Sequence, residues 1–187
     1  MSSPVSIALV HHPVVNKEGR VVTTSLTNFD LHDLGRVTRT FGVDRFFIVT
    51  PVEVQKKMAN YVKSYWREGL GVQYNPDRHE AFEGLEVAST IEESCLTLKK
   101  IHGNSPTLIA TSARSAKKTI SFKELRGQIR DEETPLLLLF GTGWGLAPIV
   151  LEQVSRVLEP VQGMSGYNHL PVRSAVAIIL DRLFSTW

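Results

Sequence analysis

Leu136-Leu137-Leu138-Leu139-Phe140 runs without a polar residue into Gly141-Thr142-Gly143-Trp144-Gly145, and a helical pattern then continues from Leu146 to Leu158. Five consecutive apolar residues without alternation describe a strand buried on both faces, as in a parallel sheet covered by helices on each side. The three glycines let the backbone turn sharply and come close to a ligand. Past Pro160 lies a second glycine-rich segment, Gly163-Met164-Ser165-Gly166-Tyr167-Asn168-His169, which leads into a terminal helix predicted over residues 170–184. Two loops that each end at a helix N-terminus predict a ligand pocket at the strand ends.

Outward from this stretch the same alternation repeats. Residues 5–10 read as a strand, and residues 14–25, with Asn16-Lys17-Glu18-Gly19, as a polar loop or short hairpin. Thr27, Asn28 and Asp30 are candidate caps for a helix of about fifteen residues that carries Leu31, Leu34, Val37, Thr38 and Phe41 and stops at Gly42. A strand follows at 43–50 and a helix from Pro51 to Arg67, whose predicted apolar stripe is Val54, Met58, Tyr61, Val62 and Tyr65. Its Lys56, Lys57, Lys63 and Arg67 read as a solvated face. Residues 69–84 are a long connection, expected to be a loop that varies in shape around a substrate. Then come a strand at 85–88, a helix at 91–101 opened by Thr90 and Glu93, a strand at 107–111, and a helix at 122–130 opened by Ser121 and Glu124. The order predicts one α/β domain over residues 1–187, a parallel sheet with helices on both faces.

Composition narrows the class. With 42% hydrophobic and 21% charged residues, the chain is an ordinary globular protein. Its single cysteine, Cys95, excludes an internal disulfide and a cysteine metal cluster, which suits a reducing, cytoplasmic compartment. The six histidines have no metal-ligand spacing, so no metal is expected. The start Met1-Ser2-Ser3-Pro4 predicts no signal peptide, and no apolar run is long enough to span a bilayer. A net charge of +2 means that any RNA contact must come from local clustering. Arg114, Lys117 and Lys118 are the best candidates for holding RNA phosphate, because they follow a strand end, where α/β sheets bind ligands.

Spacing alone leaves the first glycine loop with two readings. It lacks the Lys-Ser/Thr of a P-loop and the full G-x-G-x-x-G of a dinucleotide fold, so it is either a tight strand-to-helix connection or a ligand cradle. Together, however, Phe140-Gly141-Thr142-Gly143-Trp144-Gly145-Leu146, Glu159-Pro160-Val161-Gln162-Gly163-Met164-Ser165-Gly166 and His169-Leu170-Pro171-Val172-Arg173-Ser174-Ala175 resemble the three loops of the SPOUT-type RNA methyltransferases. Asn28 to Val43 resembles the first motif of the ribose-methylating branch, with Arg36 in the place of its catalytic arginine, six residues before Gly42.

The resemblance implies an S-adenosylmethionine-dependent methyltransferase acting on RNA, either tRNA or rRNA. It also implies a C-terminal trefoil knot over about residues 136–184 and a homodimer in which Arg36 of one subunit faces the cofactor of the other. On the same ground Thr111, Phe140, Gly141, Gly143, Gly163, Met164, His169, Leu170 and Val172 surround the cofactor. Asn168 and His169 stand near the target base, and with Arg36 they form the candidate catalytic set. Arg36 also has a plainer reading, an exposed residue paired with Asp33 or Asp30. The chain departs from the tRNA ribose-methylating branch at His169-Leu170-Pro171-Val172, where that branch usually carries Ser-Leu-Asn-Val. This departure feeds an alternative, a non-catalytic RNA-binding module with the same fold. A nucleotide- or NAD-binding enzyme is a third reading, opposed by the late position of the glycine loop and the lack of a following acidic residue at the expected distance.

Overall fold

Residues 136–140 lie at the centre of the sheet, as their composition predicts. The structure, a computed structural model, describes residues 2–114, 116 and 118–185. In chain order its elements are β1 (Val5–Val10), β2 (Val14–Val15), β3 (Val21–Val22), α1 (Asn28–Thr40), β4 (Phe46–Val49), α2 (Glu53–Arg67), α3 (Gly71–Tyr74), α4 (Pro76–Ala81), β5 (Leu85–Ala88), α5 (Ile91–His102), β6 (Thr107–Thr111), β7 (Thr119–Ile120), α6 (Phe122–Asp131), β8 (Leu136–Gly141), α7 (Pro148–Gln153), β9 (Arg156–Leu158) and α8 (Val172–Phe184). Apart from the β2–β3 hairpin, the described strands form one parallel sheet in the order β5-β4-β1-β8-β6-β9-β7.

Alternate side chains of β8 enter two separate cores. Leu136, Leu138 and Phe140 pack with Ile7, Leu9, Leu31, Leu34, Val176 and Leu180, on the face covered by α1 and α8. Leu137 and Leu139 pack with Ala8, Val10, Phe47, Leu98 and Val150, under α5 and α7. Burying each such side chain contributes roughly 1.5–3 kcal/mol relative to leaving it exposed, so a polar residue anywhere in this run would weaken the centre of the domain. The chain builds β1, β4 and β5 in one direction, crosses to β6, and then inserts β8 between β1 and β6. That reversal opens a crevice at the carboxyl ends of β1, β8 and β6, where parallel sheets hold ligands.

Helix ends follow the predicted caps. Thr27 and Asp30 form a reciprocal capping box on α1, as do Ser121 and Glu124 on α6. Thr90 accepts from the Glu93 N–H, whereas the Glu93 carboxylate accepts from Ser89. Gly42, at φ +67°, reverses the chain after α1.

Three expectations are corrected. The helix predicted over 146–158 is only the six residues of α7; the chain then extends from Val154, and Arg156–Leu158 pairs with β6 and β7 as an interior strand. Buried Val154, Val157 and Leu158 serve the sheet, and they mimic a helical spacing by chance. The connection 69–84 is not a variable loop: α3 and α4 fold within it, Asn75 caps α4 by accepting from the Arg78 N–H at 3.0 Å, and α4 packs on α1. The stripe on α2 divides. Met58 and Val62 join the core with Ala59 and Trp66, while Val54, Tyr61 and Tyr65 are exposed.

Candidate active site at the carboxyl edge of the sheet

The first glycine loop is held by the hairpin that follows β1. Thr142 N–H donates to Val10 O, Trp144 N–H to Val15 O and Ala147 N–H to Pro13 O, while Val15 N–H donates to Gly145 O at 2.9 Å. Gly143 and Gly145 adopt φ of +60° and +109°, which a side chain rarely tolerates. At Gly141 a Cβ would stand 2.6 Å from the Leu146 nitrogen. The glycines here therefore make the connection itself, and most of the loop's amide groups are spent on the hairpin.

A directional chain of hydrogen bonds braces the same corner. Thr142 Oγ1 donates to Val10 O at 3.0 Å and lies 2.5 Å from Thr24 Oγ1, which in turn lies 2.9 Å from His11 Nδ1. A carbonyl only accepts, so the protons run one way and His11 carries its hydrogen on Nδ1. Its Nε2 is buried without a partner among the described residues. Burial pulls the His11 imidazole down to about 4, against a smaller opposing effect of the Asp30 carboxylate. His11 is therefore neutral at ordinary pH.

The second loop, residues 159–171, behaves differently. Among the described residues, no backbone-to-backbone hydrogen bond uses the N–H or C=O groups of 161–170. Asn168 Nδ2 donates to Ala113 O at 2.9 Å and ties this loop to the segment after β6. Gly163 has open space where a Cβ would stand, Met164 and Tyr167 are exposed, and the His169 ring meets the Tyr167 ring edge-on at 5.3 Å. The Ser165 hydroxyl takes up the N–H and C=O of Tyr167; the other backbone groups, beside exposed apolar side chains, are what a flat heteroaromatic ring needs for recognition.

The sequence-derived site residues fall into three groups. Gly163, Met164, Asn168, His169 and Leu170 lie in the open loop, and Arg114 and Lys118, both exposed, lie in the adjacent loop after β6. Lys117 lies outside the described residues. Thr111, Phe140, Gly141, Gly143 and Val172 serve the framework: Thr111 Oγ1 donates to Leu139 O at 2.9 Å, Phe140 is buried in the core, and Val172 packs against it. Arg36 forms the third group. It is exposed on α1, lines a groove with Asp33, Val37, Thr40 and Phe41, and has no ion pair among the described residues.

Asp33 and Asp30 are taken by Arg173 of α8, at 2.5 Å and 3.8 Å respectively, and the Arg173 guanidinium also lies 5.4 Å from the Phe29 ring centroid. Of the plainer reading of Arg36, the exposure holds and the pairing with Asp33 or Asp30 does not, because Arg173 takes both carboxylates. Arg173 was missed in the sequence because nothing local signals a partner 140 positions away. Three other histidines are structural: His102 bonds Asp44 at 2.9 Å, and His32 and His79 bond arginines. Cys95 is a shielded thiol, its pKa pushed up to about 11 mainly by burial. Among the described residues no helix is long and apolar enough to cross a membrane.

A family model described as SAM-dependent RNA methyltransferase matches residues 4–185. The chain belongs to this family. A protein of Oleidesulfovibrio alaskensis named tRNA (guanine-N(1)-)-methyltransferase is 48% identical over 176 residues, covering 94% of this chain and 41% of that protein. The chain thus spans less than half the length of this relative. An uncharacterized protein of Aquifex aeolicus is 38% identical over 181 residues, covering 97% of this chain and 88% of its own length. The SpoU methyltransferase AviRb from Streptomyces viridochromogenes, solved with AdoMet, has the same fold: TM-score 0.59 at 12% identity, over 98% of this chain and 58% of that one. S-adenosylmethionine is the cofactor of this family. The second loop offers N–H and C=O groups that make no backbone-to-backbone hydrogen bond among the described residues, donors and acceptors of the kind an adenine edge takes up.

Proposed function

We propose that this chain is a knotted, homodimeric cytoplasmic enzyme that methylates one nucleotide of a tRNA or rRNA at the carboxyl edge of β6, β8 and β9. The reading rests on one observation above the others: the Asn168–Ala113 bond draws a loop that makes no backbone-to-backbone hydrogen bond over 161–170, among the described residues, to the end of β6. A knot threading the C-terminal segment is supported by its path, which runs from β9 through that loop and returns as α8 against α1, α6 and β8.

S-adenosylmethionine supplies a methyl group activated on a sulfonium; transfer breaks the carbon–sulfur bond, joins the methyl to an oxygen or nitrogen of the RNA, and leaves S-adenosylhomocysteine and a proton. The residues that would hold its adenosine part are the backbone groups of 161–170, with the exposed side chains of Met164 and Leu170 offering apolar surface. The first loop contributes rigidity, through the hairpin and the Thr24–Thr142 contact. Asn168 and His169 hold the target base, while Arg114 and Lys118 hold flanking phosphate. Arg36, from the partner subunit, places its fixed positive charge beside the nucleophile and stabilises the anion formed as the proton leaves. The exposed Phe29 and Arg36 on one outward face of α1 support a subunit contact there.

The test is transfer of tritiated methyl from S-adenosylmethionine into RNA from cells lacking the protein. Wild type should label one nucleotide and Arg36→Ala none, with cofactor affinity unchanged. Absence of label with every cellular RNA would overturn the reading.

A further inference from the structure

The seam between α1, α2 and α4 holds two arginines that lack their ordinary partners. Arg78 Nη1 donates to His32 Nδ1 at 2.7 Å, and its guanidinium lies 5.7 Å from the Trp66 ring centroid. Arg67 Nη1 lies 3.3 Å from His79 Nε2, and His79 Nδ1 lies 3.1 Å from Trp66 O. A carbonyl only accepts, so His79 Nδ1 bears the proton and Nε2 receives the Arg67 hydrogen; a guanidinium only donates, so His32 accepts through Nδ1. Both arginines therefore spend a hydrogen on a neutral imidazole. Burial, and then the Arg78 charge, lower the His32 pKa, with Asp33 opposing.

The carboxylates nearby are engaged elsewhere. Asp33 serves Arg173, and Glu80 and Glu83 serve Arg39. Glu68 and Asp77 are exposed and pair with neither arginine among the described residues. Gly35 lets α4 close on α1, since a Cβ there would meet Ala81 O at 2.8 Å, and the closure brings Arg78 onto His32. Half-buried guanidinium groups without a carboxylate are an anion site, because a bound phosphate recovers charge-assisted, bidentate hydrogen bonds that the imidazoles cannot give.

We infer that Arg67 and Arg78 bind the phosphate backbone of the substrate RNA along this seam. The assignment rests on the RNA methyltransferase reading and extends it to a surface distinct from the loop that carries Arg114 and Lys118. A backbone rather than a single small anion fits because the two groups come from two helices, and because α2 and α3 also expose the aromatic rings of Tyr65 and Tyr74, surfaces on which bases stack.

The experiment measures binding of total bacterial tRNA to the full chain by fluorescence anisotropy across a salt series. Companion measurements are S-adenosylhomocysteine affinity by calorimetry and the thermal unfolding midpoint. Arg78→Gln and Arg67→Gln should each weaken RNA binding about tenfold and make the slope of log K against log salt shallower by about one. Arg78→Lys, which keeps the charge and loses the fork, should fall between Arg78→Gln and wild type. Arg130→Gln, which removes an exposed arginine of α6 paired with its neighbour Asp131, should leave both affinity and slope unchanged. Cofactor affinity should be the same in all. RNA binding that survives both glutamine variants with an unchanged slope overturns the seam and leaves the enzyme reading intact. A wild type that binds cofactor and no RNA overturns the seam together with the RNA reading.

Discussion

Replacing His11 by Asn separates the hydrogen-bond chain at the first glycine loop from the rest of the fold through its pH dependence. Asn can keep a donor toward Thr24 Oγ1 and cannot titrate in the range concerned. In the wild type the folded imidazole sits at about 4, against 6.5 for an unperturbed histidine. The folded value is depressed, so the unfolded chain binds the proton first, and stability falls as pH drops through the window between the two values. At pH 7 the effect is nearly absent. By pH 5 it should amount to about 2 kcal/mol, and below pH 4 to about 3 kcal/mol, from about 1.4 kcal/mol per unit. The assay is urea unfolding followed by far-ultraviolet circular dichroism at pH 7, 6 and 5 for both proteins. Carboxylates titrate in both, so their effect cancels in the difference. The wild type should lose about 2 kcal/mol more than the variant between pH 7 and pH 5. Parallel losses would mean that His11 is not held neutral in the corner, and the one-way chain through Thr24 and Thr142 would fall.

Gly141→Ala should cost about 1–3 kcal/mol in urea unfolding, because its Cβ would stand 2.6 Å from the Leu146 nitrogen, and cofactor affinity should fall with it as the loop shifts. Gly163→Ala meets nothing within 4 Å, so its unfolding free energy should stay within about 0.5 kcal/mol of wild type, while calorimetry should show weaker S-adenosylhomocysteine binding if the open loop is the adenine site. Asn168→Ala releases the second loop from Ala113, and proteolysis within 159–171 should accelerate while the unfolding midpoint barely moves. Arg36→Ala should retain cofactor affinity and lose methyl transfer; unchanged transfer would remove its assigned role.

The framework was legible because it depends on local patterns. The unalternating run 136–140 announced the central strand, and the Thr27–Asp30 and Ser121–Glu124 spacings announced helix starts that the backbone adopts. Where side chains served two elements, the patterns misled. Val154, Val157 and Leu158 kept a helical spacing while belonging to a turn and an interior strand. Residues 69–84 appeared to be a loop because α3 and α4 are too short to register a periodicity, and their stability comes from docking on α1 and α2. The two glycine loops looked alike in sequence, yet one is consumed by the hairpin and the other is open. That difference is set by hydrogen bonds to Val10, Pro13 and Val15, more than 120 positions away, which local sequence does not encode. A similar distance, 140 positions, hid the Arg173 pairing to Asp33, and separations of 46 and 12 positions hid the two arginines that rest on neutral histidines.

Calorimetric titration of the purified chain with S-adenosylmethionine bears most directly on the central claim, that the carboxyl edge of this sheet is a methyl-donor site. The account predicts saturable binding at micromolar strength with one site per chain, and competition by S-adenosylhomocysteine. No binding of either molecule would contradict it, and would make the second loop a surface for some other ligand.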